Sequence, residues 1–298
     1  MQEVAILGPT ASGKSALAIE IAKEKNAYIL SLDSLSIYKE IDIASAKPSK
    51  KEREGILHFG IDEIYPNEPF NVAIFFSIYK RAKQEAIKNG KNLIIVGGTG
   101  FYLKAMIEGL SKEIDCSNES LQKTKESLKD IEKAFEFIKE KDPLFASKIT
   151  KRDRFRMEKW FKIFYEKGVI LSEFFKRNPP KKIIDKIEIF NIEIDKETLK
   201  KRVQKRTSQM IKKGIVDEVF YLESKYTRAI NPMKAIGIKE SLEYLDGFIN
   251  LKELEDKIVQ NTMKLAKRQK TFNKTQFTHI KTAPLKELEK ELLLTLKN

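Results

Sequence analysis

The sequence predicts an α/β fold in which a P-loop parallel-sheet core with flanking helices carries an inserted, mostly helical domain. In the N-terminal third, short β-branched runs alternate with amphipathic stretches, a pattern typical of parallel strands with crossover helices. The first such run leads into residues 8–15, which fit the phosphate-loop (P-loop) pattern G-x-x-x-x-G-K-[ST]. From about residue 115 to 182, glycine nearly vanishes and apolar residues recur at helical spacing.

The elements of the core follow in order along the chain. We expect strands at residues 4–7, 28–32, 93–96 and 187–194 and helices at residues 16–24 and 73–88. From residue 198 to the end, the pattern is mostly helical. The predicted domains are therefore a core of residues 1–114 and 183–298 and a helical insertion of residues 115–182, to whose interior we assign Trp160, Phe161 and Phe164.

Composition narrows the classes of protein to which the chain can belong. A single cysteine and two histidines exclude an internal disulfide and make a zinc finger untenable. The start of the chain lacks the features of a signal peptide, and no apolar run is long enough to cross a bilayer, so we expect a cytoplasmic protein without a membrane partner. The net charge is +14, with basic clusters at residues 148–162, 196–213 and 264–274. Such clusters indicate a polyanion partner or, equally well, solvated helix faces.

The P-loop predicts a site for a diphosphate or triphosphate. Its backbone N–H groups and the helix that follows can bind phosphate oxygens, which Lys14 would neutralise, while Ser15 would hold Mg²⁺. The residues assigned to phosphate binding are Gly8, Pro9, Thr10, Ala11, Ser12, Gly13, Lys14 and Ser15.

The position of the carboxylate argues against an ordinary ATPase or GTPase. Such enzymes end an apolar strand in aspartate, but the strand at residues 93–96 runs into Gly97-Gly98-Thr99-Gly100. Asp33 instead follows the second strand, at the sheet edge where α/β proteins bind ligands. A turn-capping role for Asp33 is the alternative.

The ordered motifs of the chain resemble those of the tRNA dimethylallyltransferase family. They are residues 8–15, 33–38 (DSLSIY), 42–48 (DIASAKP), 58–62 (HFGID), 70–75, 97–102 (GGTGFY), 233–240 and 266–269 (AKRQ). The resemblance implies transfer of a dimethylallyl group from dimethylallyl diphosphate to the exocyclic amine of the tRNA adenosine immediately 3′ of the anticodon. It further implies that Asp33 is the general base, that Thr99 lies near the reacting centre, and that Lys14, Arg202 and Arg206 stabilise the diphosphate. It also implies a monomer.

The same resemblance assigns residues to the tRNA anticodon stem-loop. The implied contacts are Asp33, Ser34, Leu35, Ser36, Thr99, Arg152, Asp153, Arg154, Phe155, Arg156, Lys234, Lys239, Lys267, Arg268, Gln269 and Lys274. We expect Arg152, Arg154 and Arg156 to fan over about 200° of one helix. Leu35 and Ser36 stand where the family commonly has Met and Gln, and Ser36 offers fewer hydrogen bonds to a base than Gln would.

Three other functions compete with this interpretation. An adenylate isopentenyltransferase would use the same chemistry on a free nucleotide, but it would not need the basic insertion and the basic C-terminal helices. A P-loop small-molecule kinase would leave the motifs beyond residue 15 unexplained. A non-enzymatic RNA-binding protein would leave the P-loop and Asp33 without a role.

Overall fold

The computed structural model describes residues 1–109 and 114–297, and within them six parallel strands form one sheet. The strands are β1 (Glu3–Leu7), β2 (Ala27–Ser31), β3 (His58–Phe59), β4 (Asn92–Gly97), β5 (Glu188–Glu193) and β6 (Ile280–Pro284). Their order across the sheet is β3-β2-β4-β1-β5-β6, and every pairing is parallel. The predicted α/β class is therefore confirmed.

The helices that flank this sheet come from both ends of the chain. They are α1 (Lys14–Glu24), α2 (Val72–Lys88), α3 (Gly100–Glu108), α9 (Lys196–Lys212), α10 (Ile215–Tyr226), α11 (Ile238–Leu245), α12 (Leu251–Gln276) and α13 (Leu285–Thr295), with a 3-10 helix at Asn231–Lys234. Helix α12 begins with a capping box, in which Asn250 and Glu253 each accept the other's backbone N–H. This cap fixes the start of the longest helix described.

Two strands were not predicted from the sequence. Strand β3 has two residues, too few to show an alternating pattern. Strand β6 lies at the sheet edge, within the stretch that was expected to be mostly helical, and Lys281 and Thr282 in it are exposed. An edge strand needs few apolar residues, which is why its pattern escapes hydrophobic periodicity.

The chain divides into two compact units, one of Met1–Ile107 with Ile184–Asn298 and one of Glu108–Ile183. The predicted domain boundaries at residues 115 and 182 lie close to these divisions. Residues 110–113, which the prediction assigned to the end of the first core segment, and Asn298 lie outside the described residues. Over the ranges that the structure describes, no helix combines the length and apolar composition that spanning a bilayer requires.

The described part of the smaller unit is helical around an aromatic core. Its helices are α4 (Asn118–Ser127), α5 (Ile131–Lys141), α6 (Pro143–Ala146), α7 (Arg154–Lys167) and α8 (Leu171–Arg177). Trp160 and Phe161 are fully buried, Phe164 is partly buried against them, and Trp160 donates its indole N–H to the buried carboxylate of Asp142 at 3.0 Å. The prediction that these three rings form the interior of the insertion is confirmed.

Candidate active site

The P-loop connects the end of β1 to the start of α1, on the side of the sheet where the carboxyl ends of the parallel strands lie. Gly13 has a φ of 99°, which favours glycine, and the non-glycine residue Ala11 has a φ of 62°. The Ser12 N–H donates to the Pro9 carbonyl at 3.2 Å and closes the turn. The N-terminus of α1 therefore stands at this edge, where its partial positive charge favours an anion.

Two arginines from α9 hold the P-loop from outside. Arg202 donates to the Ser12 carbonyl at 2.8 Å, and Arg206 donates to Thr10 Oγ1 at 3.3 Å. Arg206 also donates to the Ala46 carbonyl at 3.1 Å. The structure thus brings both arginines to the P-loop, while their contact with a diphosphate stays a prediction.

The positive charge of this site is carried by two half-buried side chains, Lys14 and Arg206. Burial and the nearby charge of Arg206 lower the pKa of Lys14 to about 8, while Asp33 acts in the opposite direction. Burial also lowers the pKa of Arg206, again against the effect of Asp33. The Lys14 ammonium donates only weakly, to the Pro9 carbonyl at 3.3 Å. Asp33 offsets only part of the positive charge of Lys14 and Arg206, and a bound anion would offset the rest.

Asp33 both caps a turn and lines a cavity. Its Oδ1 accepts the N–H groups of Leu35 at 2.8 Å and Ser36 at 3.1 Å, which is the turn-capping arrangement considered as the alternative. The same residue lines a cavity of about 80 Å³ together with Lys14 and Arg206. The capping hydrogen bonds therefore fix the carboxylate at the P-loop rather than exclude it from the site.

The small cavity adjoins a larger cleft of about 930 Å³. The lining of the small cavity is mostly polar and includes Asp33 and Ser36, and it also contains the apolar residues Ile29, Ile61 and Val96. The cleft is bordered by charged side chains. Lys14, Ser15, Lys47 and Arg206 line both spaces, so the start of α1 lies where they meet.

The donor set of the site fits a magnesium ion shared with a phosphate. Within residues 1–109 and 114–297, no group of three or more His, Cys, Asp and Glu side chains could hold a metal ion. Mg²⁺ does not need such a group, because it keeps several waters and binds through one or two protein oxygens plus substrate phosphates. Ser15, which lines both spaces, offers such an oxygen.

Thr99 lies in the turn between β4 and α3 and is half-buried. Gly97, at the end of β4, lines the small cavity, whereas Thr99 is outside that lining. The structure therefore places Thr99, like Asp33, just beyond the carboxyl end of a strand but does not bring it into the small cavity. Its role near the reacting centre stays a prediction.

The residues assigned to tRNA in the larger unit differ in accessibility. Ser34 is exposed, Leu35 is half-buried and Ser36 is buried. Among the assigned residues, the cations Lys234, Lys239, Lys267, Arg268 and Lys274 are exposed. The side chain of Gln269, in contrast, accepts the Thr10 N–H of the P-loop at 2.9 Å. Gln269 is thus engaged within the protein.

In the smaller unit, the expected fan of three arginines on one helix is wrong. Helix α7 begins at Arg154, capped by Asp153, which accepts the Arg156 N–H at 3.1 Å, so Arg152 precedes the helix. Arg154 donates to the Leu128 carbonyl at 2.8 Å. Phe155 is 80% exposed and is therefore not part of the aromatic core of this unit. The RNA contacts assigned to these residues stay predictions.

Two residues were missed from the sequence: Lys47, which lines the site, and Glu218, which holds a segment that borders it. The Lys47 side chain is buried, donates to the Tyr38 carbonyl at 2.9 Å and pairs with Asp42 at 2.6 Å. Glu218 accepts three successive backbone N–H groups, those of residues 42–44, at 2.7–2.9 Å. The burial of Lys47 could have been inferred from its apolar neighbours in the A-K-P motif, whereas no local sequence pattern indicates the role of Glu218.

Comparison with known proteins identifies similar chains along almost the whole length. The sequence pattern of the IPP transferase family matches residues 36–276. A tRNA dimethylallyltransferase from Aliarcobacter butzleri is 52% identical over 293 residues, which cover 98% of each chain. A full-length tRNA isopentenylpyrophosphate transferase structure from Bacillus halodurans matches with a TM-score of 0.72 and 26% identity, over 99% of this chain and 95% of that one. A eukaryotic dimethylallyltransferase, in crystallographic snapshots acting on tRNA, shares the fold at 24% identity, with a TM-score of 0.84 over 97% of this chain and 75% of that one.

Proposed function

The chain belongs to the IPP transferase family, and on this premise we propose that it transfers a dimethylallyl group to tRNA. The donor is dimethylallyl diphosphate, and the acceptor is the exocyclic amine of the adenosine immediately 3′ of the anticodon. The observation that carries this proposal is the arrangement of Asp33, Lys14, Ser15 and Arg206 around one cavity. It combines a carboxylate that can accept a proton with cations that can stabilise a departing diphosphate.

The P-loop is the proposed site of the diphosphate. Lys14 and Arg206 supply positive charge where the leaving group develops its negative charge. Ser15 would hold Mg²⁺ together with phosphate oxygens, and the ion would neutralise further charge on the leaving group. The apolar residues in the lining of the small cavity, Ile29, Ile61 and Val96, are the proposed contacts of the five-carbon chain.

Asp33 is the proposed base in the transfer. The exocyclic amine of adenine is a weak nucleophile because its lone pair is delocalised into the ring. A new bond forms between this nitrogen and the first carbon of the donor, while the bond between that carbon and the diphosphate oxygen breaks. The nitrogen then loses a proton to Asp33. Two backbone N–H groups hold Oδ1, which leaves Oδ2 as the oxygen that accepts the proton.

The acceptor is proposed to reach this site as a base turned out of its stack. Single-stranded RNA loops are read by splayed bases, and a base inside a stack must leave it before its amine can react. The exposed cations of the C-terminal helices and the net charge of +14 support an RNA partner. The anticodon position, the monomeric state and the cytoplasmic location are parts of the proposal that rest on the family resemblance and on the tRNA acceptor.

One assay tests the proposed function against its competitors. The protein is incubated with Mg²⁺, labelled dimethylallyl diphosphate and either tRNA, AMP or no acceptor. Label in tRNA alone, and its loss when the adenosine 3′ of the anticodon is replaced by guanosine, supports the proposal. Label in AMP would instead indicate an adenylate isopentenyltransferase, and tRNA-independent ATP consumption a kinase or ATPase.

A further inference from the structure

Gln269 differs from its neighbours on α12 in where its side chain lies. Lys267, Arg268 and Lys270 are exposed, as expected for a helix face that meets RNA, whereas Gln269 is half-buried. Its amide reaches the backbone of two active-site segments that are distant in sequence, the P-loop and the turn after β4. This placement separates Gln269 from the basic residues with which the sequence motif groups it.

The Gln269 amide contacts the backbone at two places, by a hydrogen bond at Thr10 and by close packing at Gly98. Oε1 accepts the N–H of Thr10 at 2.9 Å. On the other side, a Cβ atom at Gly98 would come within 2.9 Å of the Gln269 Cδ, so the glycine lets the amide pack closely against this turn. One side chain thus bridges the P-loop and the turn that carries Thr99.

The P-loop needs such support because its conformation is strained next to Thr10. Ala11 adopts a φ of 62° without being glycine, and such residues persist only where the surrounding structure fixes them. Arg206 holds the Thr10 hydroxyl, Arg202 holds the Ser12 carbonyl, and Gln269 holds the Thr10 N–H. The P-loop is therefore restrained from α9 and α12 before any phosphate binds.

We propose that Gln269 is a positioning residue for the diphosphate donor and not a contact to RNA. By bonding Thr10 and packing against the Gly98 turn, it preorganises the P-loop, so that binding of the diphosphate does not have to order the loop. Gln269 is half-buried and its Oε1 accepts the Thr10 N–H, so the amide is directed at the P-loop rather than at a base on the exposed face of α12. The inference rests on the proposed function for the nature of the donor, but its test does not require transfer to occur.

The test compares Gln269→Met with Lys267→Ala on the same helix. Methionine keeps the length of the side chain and removes both polar atoms. Binding of inorganic diphosphate with Mg²⁺ is measured without RNA, and binding of an anticodon stem-loop RNA is measured without donor. We expect Gln269→Met to weaken diphosphate binding about tenfold, the effect of removing one hydrogen bond that orders a binding loop, and to leave RNA binding unchanged. Lys267→Ala should weaken RNA binding and leave diphosphate binding unchanged.

A second variant perturbs the Gln269 amide by a substitution in the turn after β4. Gly98→Ala should displace the Gln269 side chain and weaken diphosphate binding without altering the exposed face of α12. Thermal unfolding of each variant shows whether it is folded. Diphosphate binding equal to that of the unmodified protein in both variants, or a drop in RNA affinity in Gln269→Met that matches Lys267→Ala, would overturn the inference. Failure of the unmodified protein to label tRNA, with intact diphosphate binding, would instead refute only the proposed function.

Discussion

The lowered pKa of Lys14 predicts that binding of the donor weakens as the pH rises from 7 to 9. With a pKa of about 8, the free protein carries a protonated Lys14 in about nine molecules of ten at pH 7 and in about one of ten at pH 9. A diphosphate binds the protonated form, because an ammonium attracts the anion and a neutral amine does not. The affinity should therefore fall about tenfold over this range, and binding at pH 9 should take up close to one proton per site.

The assay is calorimetric titration with an unreactive thiolo analogue of dimethylallyl diphosphate in the presence of Mg²⁺. Buffers of different ionisation enthalpy report the proton uptake directly. Lys14→Arg is the matched control, because a guanidinium stays charged up to pH 9 and its binding should not change with pH. An affinity of the unmodified protein that is equal at pH 7 and pH 9, or an equal fall in Lys14→Arg, would refute the assignment of this titration to Lys14.

Three further predictions concern the base, the donor and the insertion. Asp33→Asn should retain diphosphate and tRNA binding but lower the single-turnover rate of transfer roughly 10²-fold or more, and a near-normal rate would remove Asp33 as the base. Dimethylallyl diphosphate should support turnover with tRNA, whereas ATP should be hydrolysed no faster than by a Lys14→Met variant; brisk hydrolysis would return the chain to the nucleotide hydrolases. Replacing Arg152 and Arg156 by Ala should weaken tRNA binding and reduce its log–log salt slope by about 0.7–0.9 for each phosphate that the protein no longer binds. Arg154 is left intact because it bonds the Leu128 carbonyl, and an unchanged slope in the folded double variant would exclude these arginines from the RNA contact.

The parts of the fold that were predicted from the sequence are those with a strong local pattern. The P-loop has a fixed context between a strand and a helix, and the central strands are continuous apolar runs because both faces of a parallel sheet are buried. Strand β6, with its exposed Lys281 and Thr282, has no such pattern, since its pairing with β5 rather than its composition defines it. The start of α7 could have been read from Asp153, a residue type that favours the N-cap position.

The candidate site was only partly predictable, because long-range contacts complete it. The spacing of Arg202 and Arg206 indicates one helix face, but nothing local indicates that this face bonds the Ser12 carbonyl and the Thr10 hydroxyl. The same holds for Gln269, whose partner Thr10 lies at the other end of the chain. Motif comparison groups such residues by their neighbours in the sequence, whereas their side chains act on distant backbone.

Arg206 shows what these distant contacts contribute to the chemistry. It donates to Thr10 in the P-loop and to the carbonyl of Ala46, so one guanidinium joins the P-loop to the segment of residues 42–48. Glu218 holds the beginning of that segment through three N–H groups, and the buried ammonium of Lys47 holds its end. The segment of residues 42–48 forms the wall that the small cavity shares with the cleft, and Arg206, Glu218 and Lys47 therefore hold this wall in place. A wall fixed in this way can keep Lys14 and Asp33 in place while both substrates enter, and a preorganised charge arrangement stabilises a departing diphosphate better than one that must first rearrange.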